Sequence, residues 1–186
     1  MPRLLNAAAL FIVCWYLMMA VHEGGHALAT MLLGGTVERI ILHPLAISQT
    51  VRSGSCSPLA DCWAGPLRGA ALPLAARLAA RRWCPCAAAA LRLLAGFCLL
   101  ANGAYLGLGW IGDSGDAGEI LADGGSRWSL ILFGLVAVGS GLLLIDGGQR
   151  TLGFGAQGRP VTARRAALMV AAVLALTALG VVLGPR

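Results

Sequence analysis

Leu4–Leu33 is an apolar run interrupted, in its later half, by His22-Glu23-Gly24-Gly25-His26. A helix needs about 20 apolar residues to cross a hydrocarbon core about 30 Å thick, so this run is long enough to span a bilayer. Two histidines four residues apart on a helix share one face, one turn above the other. That spacing lets a single zinc ion take one nitrogen from each. Glu23 stands beside the first histidine, where a general base for a metal-bound water belongs. The blander reading is a chance match, or a helix whose histidines only bond neighbouring helices. Ionisable side chains inside a span are costly and mark functional sites, which weighs against it. Nothing around the pentapeptide resembles a soluble domain.

Composition agrees with the membrane reading. The chain is 58% hydrophobic and 12% charged, where soluble domains run about 45–50% and about 25%. Its 26 glycines suit close helix packing in lipid, where small residues let backbones approach. All 14 basic residues are arginines, most of them clustered between apolar runs, which reads as membrane orientation and headgroup contact. No aromatic-plus-basic platform supports nucleic-acid binding. The apolar N-terminus is read as a span and not a cleaved leader, because it carries the candidate ligands. Cys14 and Cys98 fall inside spans as packing residues, and Cys84-Pro85-Cys86 is too tight for a CxxC site. Cys56 and Cys62 pair only if their loop faces an oxidising compartment.

In chain order, Gly34-Gly35 ends the first span, and the β-branched stretch 36–50, broken by Pro44, predicts short extended segments around a turn. An extended edge beside a metal site suits a substrate backbone added as a strand; an ordinary surface hairpin is the alternative. His43 stands too far from the pentapeptide to count as a ligand. Residues 51–57 read as a polar link. Leu59–Ala80 is a weaker span interrupted by Asp61, Arg68, Pro66 and Pro73, and Ala87–Leu108 is the third span, with Asn102 near its end. A polar acidic loop over 109–125 leads to Trp128–Ile145, and a Gly- and Arg-rich link leads to Ala166–Leu183. The fold class is therefore an all-α polytopic membrane protein. About five transmembrane helices and a short β segment form one domain over residues 1–186, with a core over 4–122.

The order of these motifs resembles the site-2 protease family of intramembrane zinc metalloproteases. HEGGH lies in the first span with an extended segment after it, Ala64-Gly65-Pro66 lies in the second, and Asn102 precedes Asp116-Ala117-Gly118. Ala117 stands where the family's Asp-Gly motif has its first glycine. The resemblance covers roughly residues 4–122 and implies a Zn2+ cofactor held by His22, His26 and an aspartate, with Glu23 as catalytic base. It also implies a substrate that is a transmembrane segment of another membrane protein, in a multi-pass enzyme of a bacterial cell membrane. The partners expected are that substrate and the lipid bilayer, with no nucleic acid.

Asp113, Asp116 and Asp146 compete for the third ligand. With five spans, the ends of spans one and three share a side of the membrane and span four ends on the other, which disfavours Asp146. Glu119-Ile120-Leu121 after Asp116 is a helix-start pattern with the acid at the cap, and it favours Asp116 over Asp113. The readings that compete with a protease are an inactive membrane scaffold and a small metal or proton transporter. On orientation two lines diverge. Arginine counting puts Arg3, Arg77, Arg81, Arg82, Arg150, Arg159, Arg164 and Arg165 on a cytoplasmic side with the N-terminus, whereas the resemblance implies that the HExxH helix enters from outside.

Overall fold

The computed structural model describes residues 2–42, 48–112, 114–146 and 162–183. His43 and Asp113 lie outside the described residues. Helix α1, Pro2–Leu32, runs without a break through the HEGGH turn and gives way to a turn in which Gly34 takes a positive φ of 76°. Strands β1, Thr36–Ile41, and β2, Gln49–Ser53, then pair antiparallel, with Thr36 opposite Ser53 and Ile40 opposite Thr50. The first residues of the expected polar link therefore belong to a strand. Val51 pairs with Arg39 and Arg52 with Val37, and a register shift takes up Glu38 between them.

Four long helices and one short one follow: α2, Pro58–Trp83; α3, Pro85–Gly109; α4, Gly115–Ala122; α5, Arg127–Asp146; and α6, Ala163–Leu183. Among the described residues, three stretches are long and apolar enough to cross a membrane: Leu4–Leu32, Ala87–Gly109 and Arg127–Asp146. Helix α2 has the length, 26 residues, and continues through both Pro66 and Pro73. Asp61, Arg68, Arg77, Arg81 and Arg82 keep it more polar than a lipid-facing span. In α6 the apolar stretch is Ala166–Ala178.

Side-chain pairs fix the directions. Phe97 meets Phe11 and Trp15 edge-on, and Asn102 meets His22, so α1 and α3 run parallel. Asp61 lies beside Thr30, and Arg68 beside Gly24, so α2 returns antiparallel to α1. The α3–α5 crossing is built on small residues, as lipid-embedded packing requires. A Cβ added to Gly107 would come within 2.8 Å of the Gly134 Cα. At the far end of that crossing Arg92 Nε donates to the Leu144 carbonyl at 2.9 Å. Ten residues of α3, about 15 Å at 1.5 Å per residue, separate Arg92 from Asn102. The C-terminus of α5, and Asp146 with it, therefore sits away from the HEGGH turn.

Between α3 and α5, helix α4 is held by its apolar face. Ala117 and Ile120 are fully buried and join Leu106, Leu130 and Cys62 in one cluster. That packing turns the polar first turn of α4 back toward α1.

Candidate metal centre

Because the HEGGH segment is helical, His22 and His26 stack on one side of α1, their ring centroids 4.9 Å apart. Both are buried, as are Glu23 and Asp116. The Nε2 atoms of the two histidines stand 3.2 Å apart, and Asp116 Oδ2 lies 2.9 Å from that of His22 and 3.3 Å from that of His26.

The other ring nitrogens are occupied. His22 Nδ1 lies 2.7 Å from Asn102 Oδ1, whose amide is oriented by donating Nδ2–H to the Cys98 carbonyl at 2.8 Å. His26 Nδ1 lies 2.9 Å from the backbone carbonyl of Asp61. Both partners are acceptors, so each imidazole carries its proton on Nδ1 in the neutral form and presents an Nε2 lone pair to the same point. Three electron-rich atoms at mutual distances near 3 Å repel one another unless a proton or a cation lies between them. Ligand atoms of a tetrahedral zinc site, each about 2.0–2.1 Å from the ion, stand about 3.3 Å apart. The donor set, its spacing and the orienting partners behind each histidine all fit zinc.

Burial pushes the Asp116 carboxyl up. Where the facing Nε2 atoms carry protons instead of a cation, the two imidazoles act as donors and positive neighbours, outweigh burial and hold it below the usual carboxylate range. A bound cation acts in the same direction.

The Ala64-Gly65-Pro66 stretch has a steric reason. A Cβ on Gly65 would overlap the His26 imidazole, and one on Gly25 would sit 2.5 Å from the Ala64 carbonyl oxygen. The α1 and α2 backbones therefore meet at the second histidine, and small residues are required there. Arg68, one turn further along α2, donates to the Gly24 carbonyl.

Helix α4 starts earlier than the sequence pattern suggests. Its N-cap is Ser114, and Asp116 lies in the first turn with its carboxylate turned to the histidines. Its backbone N–H donates to the Tyr105 hydroxyl at 3.1 Å. The Glu119 carboxylate meets Arg52 at 2.8 Å.

Several participants went unrecognised in the sequence. Thr50 Oγ1 donates to Glu23 Oε2 at 2.7 Å, from a strand position that carried no signal beyond β propensity. Asp61, read there only as an interruption of a weak span, is 2% exposed; its carbonyl takes His26 Nδ1 and its Oδ2 accepts from Thr30 at 2.8 Å. An acid within a helix of a membrane protein is itself a signal of a built site. The described cysteines, Cys56 and Cys62 among them, are free thiols. A cavity of about 310 Å³ opens on His22 and Glu23 and is walled chiefly by Trp15, Met18, Met19 and Tyr105.

An HExxH pair, an orienting asparagine and a buried carboxylate, converging inside a bundle of apolar helices, define a membrane-embedded metallopeptidase framework. Residues 4–108, more than half of the chain, match the Peptidase M50B-like family model, and the chain belongs to that family of site-2-protease-type membrane metallopeptidases, whose members in general use zinc. No curated protein and no solved structure gives a significant match. The family match includes the HEGGH turn, Gly65 and Asn102 and stops before α4, so the placement of Asp116 comes from the fold itself.

Proposed function

We propose that this chain is a zinc-dependent endopeptidase that hydrolyses a peptide bond in or beside a transmembrane segment of another membrane protein. The observation that carries the reading is the convergence of His22 Nε2, His26 Nε2 and Asp116 Oδ2, with both imidazoles oriented from behind. His22, His26 and Asp116 would hold the ion. When bound, zinc supplies Lewis acidity toward the substrate carbonyl and lowers the pKa of a water to about 7.

Glu23, on the same helical turn as His22, is the proton carrier. Its carboxylate takes a proton from the attacking water and passes it to the departing amine. Buried and held by Thr50, it stays aimed without side-chain search. The substrate must be extended at the scissile bond, since a helical carbonyl is engaged in its own ladder. Strand β2 offers a seat: β1 occupies one of its edges, and its Thr50 lies against Glu23. A polar cavity of about 440 Å³ lined by Thr50, Arg52, Asp61 and Glu119, among others, lies beside the strand that holds Glu23 and offers water an approach to the centre. Asp61 Oδ1, buried without a partner among the described residues, is a hydrogen-bond site for such a water.

The test is purified protein in detergent, measured for zinc and for cleavage of a transmembrane reporter. One zinc per chain, chelator-sensitive cleavage and restoration by added zinc are expected. A chain that binds zinc weakly in fast exchange and cuts nothing would favour the transporter reading. One that holds zinc tightly and cuts nothing would favour the scaffold.

A further inference from the structure

Strand β2 touches more of the centre than a surface hairpin needs to. Thr50 and Arg52 are alternate residues of this strand and so project from one face of it. Thr50 is 4% exposed, and its hydroxyl lies 2.7 Å from Glu23 Oε2 and 3.2 Å from the Glu23 carbonyl. The Arg52 guanidinium bridges two helices. Nη2 lies 2.8 Å from Glu119 Oε2 on α4, and Nε lies 3.4 Å from Asp61 Oδ2 on α2. Glu119 stands one turn after Asp116 on an eight-residue helix, a length that is marginal without tertiary support. Asp61 is the residue whose carbonyl orients His26. One face of one strand is thus bonded to the base, to the helix of the carboxylate donor and to the segment that fixes the second histidine.

We propose that β2 is the positioning element of the centre, with Thr50 holding the Glu23 carboxylate in line and Arg52 joining α2 and α4 to the same strand. This rests on the peptidase reading above and deepens it. The strand that seats the substrate and the base that acts on it are linked through one hydroxyl, so a substrate paired along β2 is in register with Glu23. These positioning roles belong to the Thr50 and Arg52 side chains. Both act through other residues.

Two measurements test the linkage, one of them independent of hydrolysis. The first is hydrogen exchange at the β2 amides in Thr50→Val, in Glu23→Ala and in the double variant, all in the full chain in detergent. Each single variant should speed β2 exchange, and the double variant should speed it no further than the faster single one. Additive effects, or no effect of Thr50→Val, would overturn the proposal whether or not the chain proves to be a peptidase. The second is cleavage of the transmembrane reporter. Thr50→Val should keep one zinc per chain, leave KM within about twofold and lower kcat by about 10²-fold, the scale expected of a misplaced catalytic group. Thr50→Ser retains the hydroxyl and should recover most of that loss. A Thr50→Val variant with wild-type kcat, or a Thr50→Ser variant as slow as Thr50→Val, would refute the role of the hydroxyl. Absence of cleavage by the unmodified chain would instead count against the peptidase reading and leave the exchange result standing.

Discussion

Gly65 offers the sharpest steric test of the centre. Its Cα faces the His26 imidazole so closely that an added Cβ would overlap Nε2, the atom that points to the metal position. The ring has little room to yield, because His26 is 1% exposed and its Nδ1 is held by the Asp61 carbonyl. The helices have little room either: with Gly25 against the Ala64 carbonyl, α1 and α2 already meet backbone to backbone. Gly65→Ala must therefore tilt the ring or separate the helices locally. Overpacking of this kind costs about 1–3 kcal/mol. If that cost falls on the zinc-bound geometry, 1.4 kcal/mol per tenfold converts it to a weakening of roughly fivefold to somewhat over a hundredfold. Part of the strain is present without metal, so the lower half of that range is expected. Competition against a chelator of known affinity, on protein in detergent, reads the shift. Gly139→Ala is the control, since nothing among the described residues lies within 4 Å of a Cβ added there. A Gly65→Ala protein that holds zinc within about twofold of the unmodified chain would refute the argument that His26 is wedged between Gly65 and the metal.

Three further outcomes follow from the same geometry. His22→Ala or His26→Ala should abolish stoichiometric zinc in the purified protein, and full retention in either would remove that residue from the ligand set. Glu23→Gln should keep its zinc while cleavage falls by about 10²-fold or more; an active variant would require another base. Asp116→Ala should lose zinc and Asp146→Ala should keep it, because Asp146 closes α5 at the end where Arg92 meets Leu144; the reverse result would overturn the choice of carboxylate.

Much of the framework was legible in the sequence because lipid imposes few solutions. A long apolar run must be a helix, and the expected first span, Leu4–Leu33, differs from α1 only at its ends. Counting crossings put the ends of the first and third spans on one side of the membrane, and α1 and α3 do run parallel, with Asn102 against His22. Polarity was harder to read. The weak span over 59–80 became an unbroken helix whose charges are partly used inside the fold: Asp61 toward Thr30 and Arg52, Arg68 toward Gly24. Hydropathy records such charges only as interruptions, since it cannot see the partners that make them tolerable.

The hairpin was the least legible part, and the reason is physical. A strand position is read through alternation and propensity, and Thr50 satisfies both whether its hydroxyl faces solvent or a carboxylate. What distinguishes the two cases is the pairing register, which sets Thr50 opposite Ile40 and turns its face to α1. A one-residue slip would reverse every side chain on the strand, taking Thr50 and Arg52 away from the centre together. Glu23 would then lose its hydroxyl donor at the same moment as Asp61 and Glu119 lost their shared guanidinium. The register of this short sheet and the geometry of the centre are therefore one property of the fold, carried by two side chains two residues apart.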